Sequence, residues 1–278
     1  MKNWLMGQWI VLSGASSGIG RQMCKLFIQQ YGACVLGIGR DENKMQSLKN
    51  ELGENAERFE YRLFDVSEKS NWETLKNELV ARQIQPILLV NNAGAFPTFS
   101  TVLDAGSCVM EKILKINYLS AVYAIEALLP LMIAAHGKNA GAVNICSSSA
   151  LCPIVGTAAY CASKSAMRGY TEALALEMRG KAYIGIFYPG TTGTELFRGD
   201  EQTKDSALQK IAMPPERMAK KLVKKIVRKR TRAVLGWDAH AMNILAKFFP
   251  VLGPRLISWV MKKSGSKVFK NVFKSEEA

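Results

Sequence analysis

Trp9-Ile10-Val11-Leu12 runs straight into Ser13-Gly14-Ala15-Ser16-Ser17-Gly18-Ile19-Gly20, and a helical pattern with Met23, Leu26 and Phe27 on one face continues to Gln30. This is a short apolar strand, a glycine turn and a helix, in that order. Gly14, Gly18 and Gly20 let the backbone turn tightly and leave room for a diphosphate at the positive end of the helix. The spacing, G-x-x-x-G-x-G, departs from the G-x-G-x-x-G dinucleotide fingerprint. A glycine turn that only packs helix on strand would have the same composition. Its place, between the first strand and the first helix, favours the phosphate-binding reading.

The alternation continues along the chain. Cys34–Ile38, Phe59–Phe64, Ile87–Val90, Val143–Cys146 and Tyr183–Tyr188 read as strands. Between them, helical patterns cover about 41–52, a stretch through Trp72, Leu75 and Leu79 with Ser67 as its N-cap, a stretch from about Asp104, and 119–135. A further helix runs from Tyr160 to about Arg179. Strands alternating with helices predict an α/β fold with one doubly wound parallel sheet. After Pro189-Gly190 the pattern loosens over 191–213, a basic amphipathic helix covers about 216–230, and 232–237 reads as a last strand. The expected organisation is one catalytic domain, 1–238, and a C-terminal extension, 239–278, that is not a domain of its own.

The end of the second strand selects the nucleotide. An acidic residue there would bind a ribose 2′-hydroxyl and repel a 2′-phosphate. This chain has Gly39-Arg40 instead. A guanidinium suits a phosphate, which favours NADP(H) over NAD(H).

Tyr160 and Lys164 lie one helical turn apart on one face. A phenol has a pKa of about 10, and a neighbouring ammonium favours the phenolate, so the two form a plausible acid/base unit. Ser147 ends the preceding strand, 13 residues before Tyr160.

Composition bounds the rest. The chain has 278 residues, 48% hydrophobic and 22% charged, as expected of a folded protein with a large core. Trp9 to Leu12 enters the glycine turn directly, leaving no room for a leader's cleavage region. The apolar stretch 119–135 is broken by Glu126 and Pro130 and reads as a buried helix. Six cysteines show no C-x-x-C and no metal-ligand spacing, and the two histidines are scattered, so reduced thiols in a cytoplasmic protein without a metal are expected.

The net charge of +14 is uneven: from Glu216 onward there are 16 Lys/Arg against 4 Asp/Glu. In the tail, Ala241, Leu245, Phe248 and Leu252 recur at helical spacing with Met242 and Phe249 beside them. Further on, Val268, Phe269, Val272 and Phe273 oppose Lys267, Lys270 and Lys274. Three readings stay open: a helix lying on an anionic membrane surface at the cytoplasmic face, a lid over the pocket, or an oligomer contact. No nucleic-acid-binding module is recognisable, so no nucleic-acid partner is expected.

Over about residues 8–237 the chain resembles the short-chain dehydrogenase/reductase family, the type with a single Rossmann domain of about seven strands. Gly14-Ala15-Ser16-Ser17-Gly18-Ile19-Gly20 looks like its cofactor turn, and Asp65-Val66 like its adenine contact. Asn92-Ala93-Gly94, after Asn91, looks like its fourth-strand motif. Asn117, Ser147, Tyr160 and Lys164 match its active-site Asn, Ser, Tyr and Lys. Pro189-Gly190 with Thr192 and Thr194 resembles the segment that holds the nicotinamide carboxamide. There are departures: Ser13 stands for the usual Thr, Cys146 for a frequent Ser, and Thr192-Gly193 for the usual apolar pair.

The resemblance implies hydride exchange between NADP(H) and a ketone or secondary alcohol. Tyr160 would be the proton donor, Lys164 would lower the phenol pKa and hold the ribose, Ser147 would orient the reacting oxygen, and Asn117 would anchor a water-borne proton relay. It also implies a homodimer or homotetramer paired through the helices at about 118–135 and 158–179. Apolar residues around the expected substrate position (Phe96, Phe99, Leu151, Pro153, Ile154, Val155, Leu196, Phe197) suggest a steroid, bile acid or long-chain lipid, or loops that pack on one another. The competing class is a non-catalytic dinucleotide-binding scaffold recruited through its basic tail.

Overall fold

The computed structural model describes residues 3–194 and 212–273. Seven strands, β1 (Trp9–Ser13), β2 (Cys34–Gly39), β3 (Phe59–Leu63), β4 (Pro86–Asn91), β5 (Gly141–Ile145), β6 (Tyr183–Pro189) and β7 (Arg232–Leu235), form one sheet in the order β3-β2-β1-β4-β5-β6-β7. Every neighbouring pair is parallel. The helices between them are α1 (Gly18–Gln29), α2 (Glu42–Glu51), α3 (Lys69–Ala81), α4 (Val102–Leu114), α5 (Ser120–His136), α6 (Ala158–Glu177) and α7 (Pro215–Val227).

Both faces of the sheet are covered, and the period-2 side-chain alternation shows how. Ile10 and Leu12 of β1 enter one core with Phe27 of α1, Leu48 of α2 and Leu222 of α7. Val11 enters the other with Trp72 of α3, Leu128 of α5 and Leu174 of α6. The sheet is therefore doubly wound, as the alternation predicts. The order reverses between β1 and β4, and the crevice beyond their carboxyl ends is where such sheets take ligands.

Two local expectations change. Ser67 does not cap α3; its amide and hydroxyl both go to Asp65 Oδ1, at 2.9 and 2.7 Å, and the cap position is Glu68. The helix expected from Asp104 begins at Val102, where Thr101 Oγ1 accepts the Asp104 amide. A π turn, Lys115–Leu119, then joins α4 to α5. The helical run 102–139 is long and apolar enough to cross a membrane. Its α5 part instead packs on the sheet, with Ala124, Leu128 and Met132 buried.

After β7 come α8 (Trp237–Phe248), α9 (Leu252–Lys263) and a short α10 (Lys270–Phe273). α8 and α9 pack closely: a Cβ on Gly253 would lie 2.9 Å from the Leu245 carbonyl. Val268, Phe269 and Val272 are buried against Phe99, with Phe96, Ile154 and Val155 beside them.

Candidate active site

The cofactor end is built from the turn between β1 and α1. Gly14 and Gly18 have φ of 70° and 52°, in the left-handed region that favours glycine. A Cβ on Gly14 would press on Ala93 and Asn92, and one on Gly20 would collide with the Gly14 carbonyl. The end of β4 is tied to this turn. Ser13 Oγ accepts the amides of Asn92 and Ala93, both at 3.1 Å, and the Asn92 side chain donates to the carbonyls of Ser13 and Gly14. Serine in place of the usual threonine keeps this function. Ser17 provides no side-chain cap for α1, so the free amides of the first turn stay available at the rim of a cavity of about 580 Å³.

Of the sequence-predicted cofactor residues, Gly14, Ser16, Ser17, Gly18, Ile19, Arg40, Asp65, Val66, Asn92, Ala93, Gly94, Tyr160, Lys164, Pro189, Gly190, Thr192 and Thr194 all line this one cavity. Gly20 does not; it lies behind the turn and serves its packing. Arg40 is 73% exposed at the end of β2, with Asp65 as a distant ionic neighbour at 3.9 Å. The Asp65 carboxyl is held below its ordinary range, chiefly by the Ser67 amide. The uncapped helix end, the glycine cradle and a guanidinium at the strand end fit a nucleotide with an added phosphate.

Ser147, Tyr160 and Lys164 meet at the inner end. Ser147 follows β5 and sits at the start of a tight turn, its Oγ accepting the Ser149 amide at 3.2 Å. Burial pushes the Tyr160 phenol pKa up, and the Ser147 hydroxyl pulls it down less strongly. The Tyr160 ring stacks edge-on with Phe96, centroids 4.9 Å apart. Lys164 Nζ lies 5.9 Å from the Tyr160 ring centroid and donates to the Ile145 carbonyl at 3.0 Å. Burial holds the ammonium below the ordinary lysine range. The ammonium is tied to backbone beside the ring, and the downward pull comes from Ser147.

Asn117 does not line the cavity. The π turn swings its side chain to the loop after β4, where Oδ1 accepts the Ala95 amide at 2.7 Å and Nδ2 donates to the Ala95 carbonyl and to Ser163 Oγ. A Cβ on Gly94 would meet both Asn117 Oδ1 and Lys164 Nζ, so the two side chains border one spot. A second buried chain, Asn91 to Asn144 to Thr171, locks β4, β5 and α6 together, each bond 2.8 Å. Satisfied buried polar chains of this kind fix relative positions.

The other wall is apolar. Phe96, Phe99 and Ile154 line the cavity as expected, and Val155 packs behind them. Leu151 packs elsewhere, with Ala121 and Met167, and Pro153 is exposed. Leu196 and Phe197 lie outside the described residues. The wall's larger share comes from the tail: Ala241, Met242 and Leu245 of α8, Leu256, Ile257, Val260 and Met261 of α9, and Phe269. Sequence reasoning named the α8 spacing and left a lid over the pocket open beside a membrane surface and an oligomer contact. It also missed Asp238, whose carboxylate accepts the Thr191 amide. The Thr192-Gly193 departure is accommodated by a bridge to Met213.

A sequence model of the short chain dehydrogenase family matches residues 8–205. The chain belongs to that family. Membership makes this short-chain dehydrogenase an oxidoreductase of CH–OH and C=O groups. It is 28% identical over 252 residues to a 3-ketodihydrosphingosine reductase of Bos taurus, covering 87% of this chain and 75% of that one. It is likewise 28% identical over 207 residues to 3beta-hydroxysteroid dehydrogenase 2 of Eggerthella lenta, covering 74% and 79%. A serine dehydrogenase solved in complex with NADP+ superposes with a TM-score of 0.72 at 26% identity, over 82% of this chain and 93% of that chain.

Proposed function

We propose that this short-chain dehydrogenase exchanges a hydride between NADP(H) and a hydrophobic ketone or secondary alcohol, of the steroid, bile-acid or long-chain lipid class. The observation that carries the reading is the buried Tyr160 phenol, with Ser147 lining the same cavity, which is walled by Phe96, Phe99 and Phe269. The relatives named for a ketosphingoid and a 3β-hydroxysteroid, and the NADP+ complex of the superposed structure, support it.

NADPH, when bound, supplies the hydride to the carbonyl carbon. Tyr160 gives its phenolic proton to the carbonyl oxygen, and Ser147 holds that oxygen in line. Burial keeps the phenol protonated, which suits reduction. Lys164 holds the nicotinamide ribose and restores the Tyr160 proton, and Asn117 anchors the path to solvent. Arg40 takes the 2′-phosphate. Gly14, Ser16, Ser17, Gly18 and Ile19 cradle the diphosphate, and Asp65 and Val66 border the adenine. Pro189, Gly190, Thr192 and Thr194 hold the carboxamide end.

Residues 1–238 carry cofactor and catalysis, and 239–278 form an extension that closes the substrate side. We place the protein in the cytoplasm, peripheral to the inner membrane face, as a homodimer or homotetramer paired through α5 and α6. Six free thiols and the basic tail support the placement, and the light-scattering mass of the purified protein tests the pairing.

The decisive experiment measures NADPH and NADH oxidation against steroid, bile-acid and long-chain lipid ketones. Turnover with NADPH and at least one of these ketones is expected. Tight NADPH binding with no turnover across the set would replace the enzyme by a dinucleotide-binding scaffold.

A further inference from the structure

Two faces of the C-terminal segment are distinct. The spacing of Val268, Phe269, Val272 and Phe273 leaves a membrane surface, a lid and an oligomer contact open, but the first three are buried against Phe99, and Phe269 is part of the cavity wall. The apolar surface that does face solvent lies one element earlier. Ile244, Phe248, Phe249, Val251, Leu252 and Trp259 of the α8–α9 hairpin are each more than half exposed. Phe248 and Leu252, at 65% and 62%, flank the hairpin tip. None of these six residues lines the cavity.

Among the described residues, the charge carried by the hairpin itself has one sign. Between residues 239 and 263 the chain carries Lys247, Arg255, Lys262 and Lys263, with no Asp or Glu. Lys247 lies 5.6 Å from the Phe248 ring and Lys263 4.5 Å from the Trp259 ring, so cations sit beside the exposed aromatics. A second copy docked face to face would bring these cations against their own kind. An anionic bilayer complements them, and aromatic rings with flanking lysines are the side chains that settle at its interface.

We propose that the α8–α9 hairpin seats its tip in an anionic lipid surface and forms a passage for apolar substrate from bilayer to cavity. The proposal deepens the peripheral-membrane placement above and rests on it. Leu256 and Val260 are about half exposed on the outer surface and also line the cavity, so the membrane-facing and substrate-facing sides meet along α9. A ketone can move along that seam without crossing water.

The test uses the full chain and F248E/L252E, which changes two exposed residues outside the cavity. Flotation with phosphatidylcholine vesicles containing one part in three phosphatidylserine should carry the wild type. The double variant should partition at least about tenfold less. NADPH turnover of a ketone presented in detergent micelles should be equal in both, while turnover of the same ketone embedded in the vesicles should fall in the variant. Equal flotation of the two proteins, or no flotation of the wild type, overturns the proposal. So does a wild-type dimer in sedimentation velocity that the double substitution abolishes without any lipid binding, because the face would then belong to a second copy. Flotation is read without turnover, so an inactive enzyme would count against the reductase reading and leave this one standing.

Discussion

The Asp238 carboxylate, in the first turn of α8, accepts the backbone amide of Thr191 at 2.6 Å and packs so tightly on Gly190 that a Cβ there would collide with it. The tail is thus bonded to the loop leaving β6, which also holds Thr192 and Thr194 on the cofactor side. A charged acceptor on a partly buried amide is worth about 1.5–3 kcal/mol. Asp238→Ala should weaken NADPH binding by roughly ten- to a hundredfold. Quenching of intrinsic fluorescence by NADPH measures it, and unchanged affinity would make the contact incidental.

Tyr160→Phe keeps the ring against Phe96 and removes only the hydroxyl. Turnover should fall by about 10²–10⁴-fold with NADPH binding nearly intact. Retained turnover would exclude Tyr160 as the donor.

The phenol also sets a pH dependence. Burial raises its pKa, and the Ser147 hydrogen bond opposes the rise. Ketone reduction needs the phenol, so its rate should stay level through neutral pH. Alcohol oxidation needs the phenolate and should climb about tenfold per pH unit on the acid side of the phenol pKa. Ser147→Ala removes the lowering influence, so the oxidation limb should move to higher pH as well as drop. A limb moving to lower pH would contradict this assignment.

Arg40 is exposed at the end of β2, where in the proposed reading it meets the ribose phosphate. Arg40→Ala should reduce the preference for NADPH over NADH by about ten- to a hundredfold, mainly through KM. Arg40→Asp should turn the preference toward NADH, since a carboxylate binds the ribose hydroxyls and repels a phosphate. The ratio of kcat/KM for the two cofactors is the readout.

Phe269 is 3% exposed and meets Phe99 edge-on, with centroids 5.0 Å apart. Phe269→Ala opens the far wall. Removing a buried Phe costs about 3–5 kcal/mol, here felt first as loosening of the last turns. KM for lipid ketones should rise about tenfold or more while that for a small ketone changes little. Limited proteolysis should cut the tail sooner.

Strands β1, β2, β4, β5 and β6 were legible because each is a short, mostly apolar run that is largely buried, and α1 because its glycine turn marks its start. The cofactor cleft was legible for the same reason: its residues sit at strand ends in fixed order. Three things lay beyond sequence reach. Ser67 turns to Asp65 because a carboxylate two residues away competes with the helix end. Asn117 reaches the loop after β4 only because a π turn displaces it, and periodicity cannot show a single extra residue per turn. The tail's stripe was visible, but an apolar stripe next to lysines has the same pattern whether it meets lipid or a cavity. Phe99, 170 residues away from Phe269 along the chain, settles which.

That arrangement separates two kinds of change. The proposed proton-handling groups lie between residues 117 and 164, whereas among the described residues most of the surface that would touch the substrate's apolar body lies between 241 and 269. Related proteins can diverge in what they accept by exchanging one C-terminal piece, with Asp238 as the joint. Grafting that piece between members of the family is a direct route to altered substrate range without disturbing the chemistry.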